Sequence, residues 1–232
     1  MRRLLLLLLL ACGATPTDRG DVRWYARALD FEVESLEAAG ETVEYLRVPG
    51  GERLLVLLAG GAQNRNLVEA TLRPWGNALR DLGYAVVSPV ARQPRWYEAG
   101  SEALLAATVE ALAERYGGPV YVFGVSNGGI AAMRWLSTRP RLPIATVVVA
   151  PGYVPDDAAV PDVPAPITFV VGERDRWLPL VRASAEQTGG RLCTVVGAGH
   201  LLAEALSAHA IDGLLRDEPA PCACASQPCD LR

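Results

Sequence analysis

The chain has 232 residues, a formal net charge of -4 and 50% hydrophobic residues, enough to bury one substantial core and better suited to one domain than to two. No basic run and no interleaving of aromatic with basic residues marks a nucleic-acid track. All 22 basic residues are arginine, which excludes a Ser-Lys dyad, a Schiff-base lysine and a P-loop lysine, and any histidine chemistry must use His200 or His209.

The N-terminus reads MRRLLLLLLLAC. Arg2 and Arg3 form a positive n-region, and Leu4 to Leu10 form an apolar run far shorter than the roughly 20 residues that span a bilayer. The run ends in Leu9-Leu10-Ala11-Cys12, which resembles a bacterial lipobox. That resemblance implies a signal peptide over 1–11, a lipidated Cys12 and a tether over 12–20, on a membrane facing an oxidising compartment. Gly13 after the cysteine leans toward the outer membrane. An ordinary secretory signal that leaves a secreted or periplasmic protein is the plainer alternative. Cys193, Cys222, Cys224 and Cys229 then remain. They allow three full pairings, and in an exported chain disulfides tying down the Pro-rich tail 216–232 are the default. The spacing lacks a CxxC pair, so no metal is expected there.

A single folded unit is expected over 21–215. TVEYLRVPGGERLLVLLAGG (42–61) reads as a hairpin closed by Pro49-Gly50-Gly51. Apolar residues at helical spacing follow over 66–82, with a break expected at Pro74 and a stop at Gly83. YAVVSPV (84–90) is the next strand. A helix capped by Ser101 carries Leu105, Val109, Leu112 and Tyr116 on one stripe and stops at Gly117-Gly118. VYVFGV is a strand and 127–138 a helix. IATVVVA (144–150) and ITFVVG (167–172) are strands joined by a Pro-rich loop. A helix over 177–188, the strand RLCTVVG (191–197) and a helix over 200–215 complete the pattern. Continuous apolar strands alternating with helices indicate an α/β architecture: a mostly parallel sheet with helices on both faces and a leading antiparallel hairpin.

Gly124-Val125-Ser126-Asn127-Gly128 is G-x-S-x-G, ending an apolar strand and opening a helix. A serine presented for chemistry at such a turn takes a strained backbone, and side chains at 124 and 128 would collide with neighbours. A serine N-cap explains the hydroxyl but not both glycines. Serine needs a base. His200 follows the last strand among small residues, whereas His209 lies inside a helical pattern. The base needs a carboxylate. Of Asp156, Asp157, Asp162, Glu173, Asp175, Asp212 and Asp217, only Glu173 and Asp175 come directly after a strand, and Asp175 is preferred.

The order Ser126, Asp175, His200 on alternating strands and helices resembles the α/β-hydrolase superfamily. G-x-x-D-x-x-x-P after one strand and G-x-G-H after the last match its pattern, and the resemblance covers nearly all of 42–215. It implies acyl transfer, in most members ester hydrolysis through an acyl-enzyme, with no metal or organic cofactor. It also implies two main-chain oxyanion donors. One is Asn127 N–H. The other lies on Ala59-Gly60-Gly61, where similar enzymes often carry His-Gly-Gly; Gly61 is favoured and Ala62 is close behind. Gln63, Asn64 and Asn66 read as a polar surface turn that can reach substrate. Trp96, Tyr97, Tyr153 and Trp177 follow strands and are candidates for an apolar substrate pocket. The expected substrate is a small or medium acyl ester. A peptidase, amidase or polyester depolymerase on the same fold is the alternative, and a non-catalytic envelope lipoprotein is the alternative of another class.

Overall fold

The apolar runs assemble into one sheet covered on both faces, as their lack of polar alternation requires. The computed structural model describes residues 29–158, 160, 165–202 and 205–218. Cys12, the signal-type segment, the tether, and Cys222, Cys224 and Cys229 lie outside the described residues.

The strands are β1 (Glu32–Ala38), β2 (Glu41–Val48), β3 (Arg53–Leu58), β4 (Tyr84–Pro89), β5 (Val120–Gly124), β6 (Ile144–Val149), β7 (Ile167–Gly172) and β8 (Arg191–Val195). The helices are α1 (Arg65–Leu72), α2 (Gly76–Asp81), α3 (Glu102–Tyr116), α4 (Asn127–Ser137), α5 (Leu178–Thr188) and α6 (Ala208–Leu215). The sheet order is β1-β2-β4-β3-β5-β6-β7-β8. β2 runs antiparallel to β1 and to β4, and every other pairing is parallel. Alternate residues of β3 feed two cores. Leu54, Val56 and Leu58 pack with Val109 of α3, Trp135 of α4 and Val181 of α5. Leu55 and Leu57 pack with Leu72 of α1, Leu79 of α2 and Ile211 of α6.

The leading hairpin is β1–β2, turning at Ala39-Gly40, not the expected pair over 42–61. β2 is held instead by β4, with Val48 opposite Val86, while β3 lies on the far side of β4. Pro49-Gly50-Gly51 is therefore a crossing. A Cβ on Gly51 would overlap the Tyr84 carbonyl at the start of β4. The glycine is demanded by that close approach, which sequence reasoning takes for a tight turn.

The break at Pro74 occurs as expected, between Leu72 and Gly76. Ser101 occupies the N-cap position of α3 but makes no cap; its hydroxyl lies 2.8 Å from the carbonyl oxygens of both Trp96 and Glu98. The last helix starts at Ala208 rather than 200, capped by Ser207, whose hydroxyl accepts from Ala210 N–H at 3.1 Å. Residues 200–202 are thus outside the helix, and His200 belongs to a loop. Because β3, β5, β7 and β8 are parallel, the loops that follow them meet at one edge of the sheet.

Candidate active site

Ser126 sits between β5 and α4 with φ 53° and ψ -120°, a conformation costing roughly 1–3 kcal/mol for a residue with a side chain. The surroundings enforce it. A Cβ on Gly128 would overlap the Leu58 carbonyl at the end of β3, and one on Gly124 would come within 2.6 Å of the Gly128 carbonyl oxygen. Val125 N–H donates to Leu58 carbonyl at 3.0 Å, which ties the elbow to the adjacent strand. As a result the Ser126 hydroxyl stands clear of the sheet and makes no cap bond.

Ser126 Oγ lies 2.9 Å from His200 Nε2, and His200 Nδ1 lies 2.9 Å from Asp175 Oδ2. The turn after β7 and the loop after β8 are laced together. Glu173 N–H donates to the Val195 carbonyl and Arg174 N–H to the Ala198 carbonyl, both at 2.9 Å. Glu173 carboxylate accepts from Gly197 N–H at 2.9 Å, so the competing acid holds the loop backbone instead of the imidazole. Asp175 is 5% exposed, and its second oxygen accepts from Trp177 N–H at 2.9 Å. A carboxylate only accepts hydrogen bonds. Nδ1 therefore carries the imidazole proton, and the Nε2 lone pair faces the serine. The His200 side chain is 35% exposed, open enough for water or a substrate group to reach it.

The loop after β3 passes beside the elbow: a Cβ on Gly60 would lie 3.4 Å from Ser126 Cβ. Gly61 has φ 61°. Asn127, first residue of α4, has an N–H that helix geometry leaves without an intrahelical partner. Its side-chain amide donates to the Gly61 carbonyl at 3.1 Å.

The aromatic candidates separate. Trp177 packs edge-on to His200 with ring centroids 4.6 Å apart, and Tyr153 packs on Trp177 at 5.2 Å. Trp96 is buried in the core with its indole N–H on the Pro89 carbonyl, so it does not line the mouth. Tyr97 is half-buried, and its carbonyl accepts from Arg134. Gln63 is not part of a surface turn. It is fully buried at φ 56° and bonds the Ala59 carbonyl from its amide. Asn64 caps α1 through Leu67 N–H, while Asn66 is exposed. His209 is exposed on α6.

No protein-family model matches the sequence, and no curated protein matches it. Solved structures do match. Carboxylesterase CesB (YbfK) of Bacillus subtilis superposes with TM-score 0.61 at 14% identity, covering 83% of this chain and 96% of that one. The esterase Pf2001 of Pyrococcus furiosus gives 0.59 at 17%, covering 81% and 88%. A cold-adapted esterase from an Arctic intertidal metagenomic library gives 0.58 at 16%, covering 82% and 95%. The chain has the α/β-hydrolase fold. An open groove of about 550 Å³ between α3 and the loop before β6 includes Glu110, Glu114 and Arg141. It lies at the amino edge of the α/β-hydrolase sheet, opposite Ser126.

Sequence reasoning missed one residue that supports the carboxyl edge. Arg134 of α4 is 6% exposed and reaches three segments: the Tyr97 carbonyl, Glu102, and Asp157 in a two-oxygen contact. Its signal was a lone charge inside the apolar helix GGIAAMRWL.

Proposed function

We propose that the protein is a serine hydrolase cleaving small or medium acyl esters through an acyl-enzyme. The observation that carries this reading is the unbroken chain Ser126 Oγ, His200, Asp175 at two 2.9 Å contacts, built on a serine in a strained strand-to-helix turn. As Ser126 Oγ attacks the ester carbonyl, His200 Nε2 takes its proton, and Asp175 stabilises the imidazolium. The tetrahedral oxyanion lies on Asn127 N–H and Gly61 N–H; one such donor is typically worth ~3 kcal/mol in the barrier. Collapse of the intermediate returns the proton from His200 to the leaving alcohol. Water then attacks the acyl-enzyme with His200 again as base. Trp177 and Tyr153 form an apolar wall beside the imidazole against which an acyl or alcohol chain packs. The esterases matched in fold favour this chemistry over amide or polyester cleavage.

The reading extends to the cell envelope: residues 1–11 act as a signal peptide, Cys12 carries lipid, and the tether holds the hydrolase at the outer membrane. It also includes a disulfide from Cys193, buried on edge strand β8, to a cysteine of the tail. The decisive experiment is labelling with a fluorophosphonate probe, followed by p-nitrophenyl esters of increasing chain length. Wild type labels and hydrolyses short esters; an unreactive wild-type protein refutes the enzyme reading, and cleavage of amides alone moves it to the peptidase alternative. Retention of a Cys12→Ser variant on membranes refutes the anchor.

A further inference from the structure

We infer that the Asn127 side chain is a positioning residue that sets the second oxyanion donor, an inference that rests on the serine-hydrolase reading above. The turn Ala59–Gln63 is pinned at its two ends. Buried Gln63 donates from its amide to the Ala59 carbonyl at 3.0 Å, and its own carbonyl accepts from Ala91 N–H at 2.9 Å. The middle of the turn is tied to the elbow by Asn127, whose side-chain amide donates to the Gly61 carbonyl at 3.1 Å.

That bond has a directional consequence. The peptide linking Gly61 to Ala62 is planar, with its C=O and N–H on opposite sides. With the carbonyl turned toward Asn127, the Ala62 N–H points away. The donor left to this turn is the Gly61 N–H, which belongs to the preceding peptide. The left-handed Gly61 backbone, φ 61°, permits that orientation, and Leu67 crowds the position, since a Cβ there would lie 2.8 Å from its Cδ1. One residue thus serves both halves of the oxyanion site: Asn127 supplies one donor from its backbone and orients the other through its side chain. An asparagine is suited to this because its short amide is a donor held next to its own N–H. Freed from the bond, the Gly61–Ala62 peptide can rotate and draw the Gly61 N–H out of line.

The test uses Asn127→Leu, which keeps the size and removes the donor, with Asn127→Ala as a second variant should the first fold poorly. The full chain is assayed with p-nitrophenyl butyrate, fluorophosphonate inactivation and thermal melting. Both variants are expected to lose about tenfold in kcat, a fraction of the 10²–10³ of an outright donor loss. KM stays within twofold, the inactivation rate falls in parallel with kcat, and Tm holds. A purely structural role would lower Tm without this split. A kcat within twofold of wild type overturns the inference, as does a rise in KM at unchanged kcat, which marks a substrate contact. These results leave the serine-hydrolase reading standing. A wild-type protein that neither hydrolyses nor labels removes both.

Discussion

Glycines at the two edges of the sheet are there for different reasons. At the carboxyl edge, Gly124 and Gly128 surround Ser126, and an added Cβ at either would run into backbone of α4 or β3. At the amino edge, Gly189 between α5 and β8 has φ 66° and ψ 16° and nothing within 4 Å of the Cβ it lacks. The first pair is steric: the chain needs glycine so that three backbone segments can converge under one strained serine. The second is conformational: it ends a helix in a left-handed turn, in open solvent. The carboxyl edge gathers the loops of β3, β5, β7 and β8 with a buried carboxylate, whereas the amino edge holds an open groove bearing Glu110 and Glu114. Strain and close packing concentrate where the proposed chemistry lies.

Substitutions at the two edges should therefore differ in kind. The largest effect is expected from Ser126→Ala, which abolishes fluorophosphonate labelling and lowers ester turnover on the order of 10⁶-fold; residual labelling at the wild-type rate would point to another nucleophile. Asp175→Asn should cost about 10⁴-fold in kcat by reversing the imidazole tautomer. A near-normal rate would transfer the role to Glu173, against its bond to Gly197. Gly128→Ala should destabilise the fold by about 3 kcal/mol, the upper part of the overpacking range, with a clear fall in Tm and loss of activity, because the Leu58 carbonyl cannot move without shifting β3. Gly189→Ala should cost only about 1 kcal/mol, for the left-handed backbone alone, and leave kcat and KM at wild-type values. Equal Tm losses for the last two would erase the contrast between the edges.

Most of the carboxyl edge was legible in the sequence because its constraints are local. G-x-S-x-G after a strand, an aspartate after β7 and a histidine after β8 each carry a turn signal. With two histidines and no lysine in the chain, few combinations remained. Asp175 and Glu173 both come directly after β7, with Asp175 preferred; in the structure Asp175 meets His200 while Glu173 meets the loop backbone. The misreadings have a common source. Pro49-Gly50-Gly51 looks like a hairpin turn until β4 is seen to fill the place beside β2. Gln63 looks like a surface residue until the turn folds it inward, and Trp96 looks like a pocket residue until its indole is found in the core. In each case the residue type was read correctly and its neighbour was invisible.

What the sequence by itself determined is the alternation of apolar strands and helices, and the order of Ser126, Asp175 and His200 along it. Periodicity and turn chemistry are properties of neighbouring residues, so a one-dimensional reading reaches them. What only the tertiary structure decided is which strands pair, which aromatics stand beside the imidazole, and that Asn127 reaches the Gly61 carbonyl 66 positions away in the chain. Those depend on the parallel packing of β3, β5, β6, β7 and β8 side by side, which brings distant loops to one edge and leaves no mark in the local sequence.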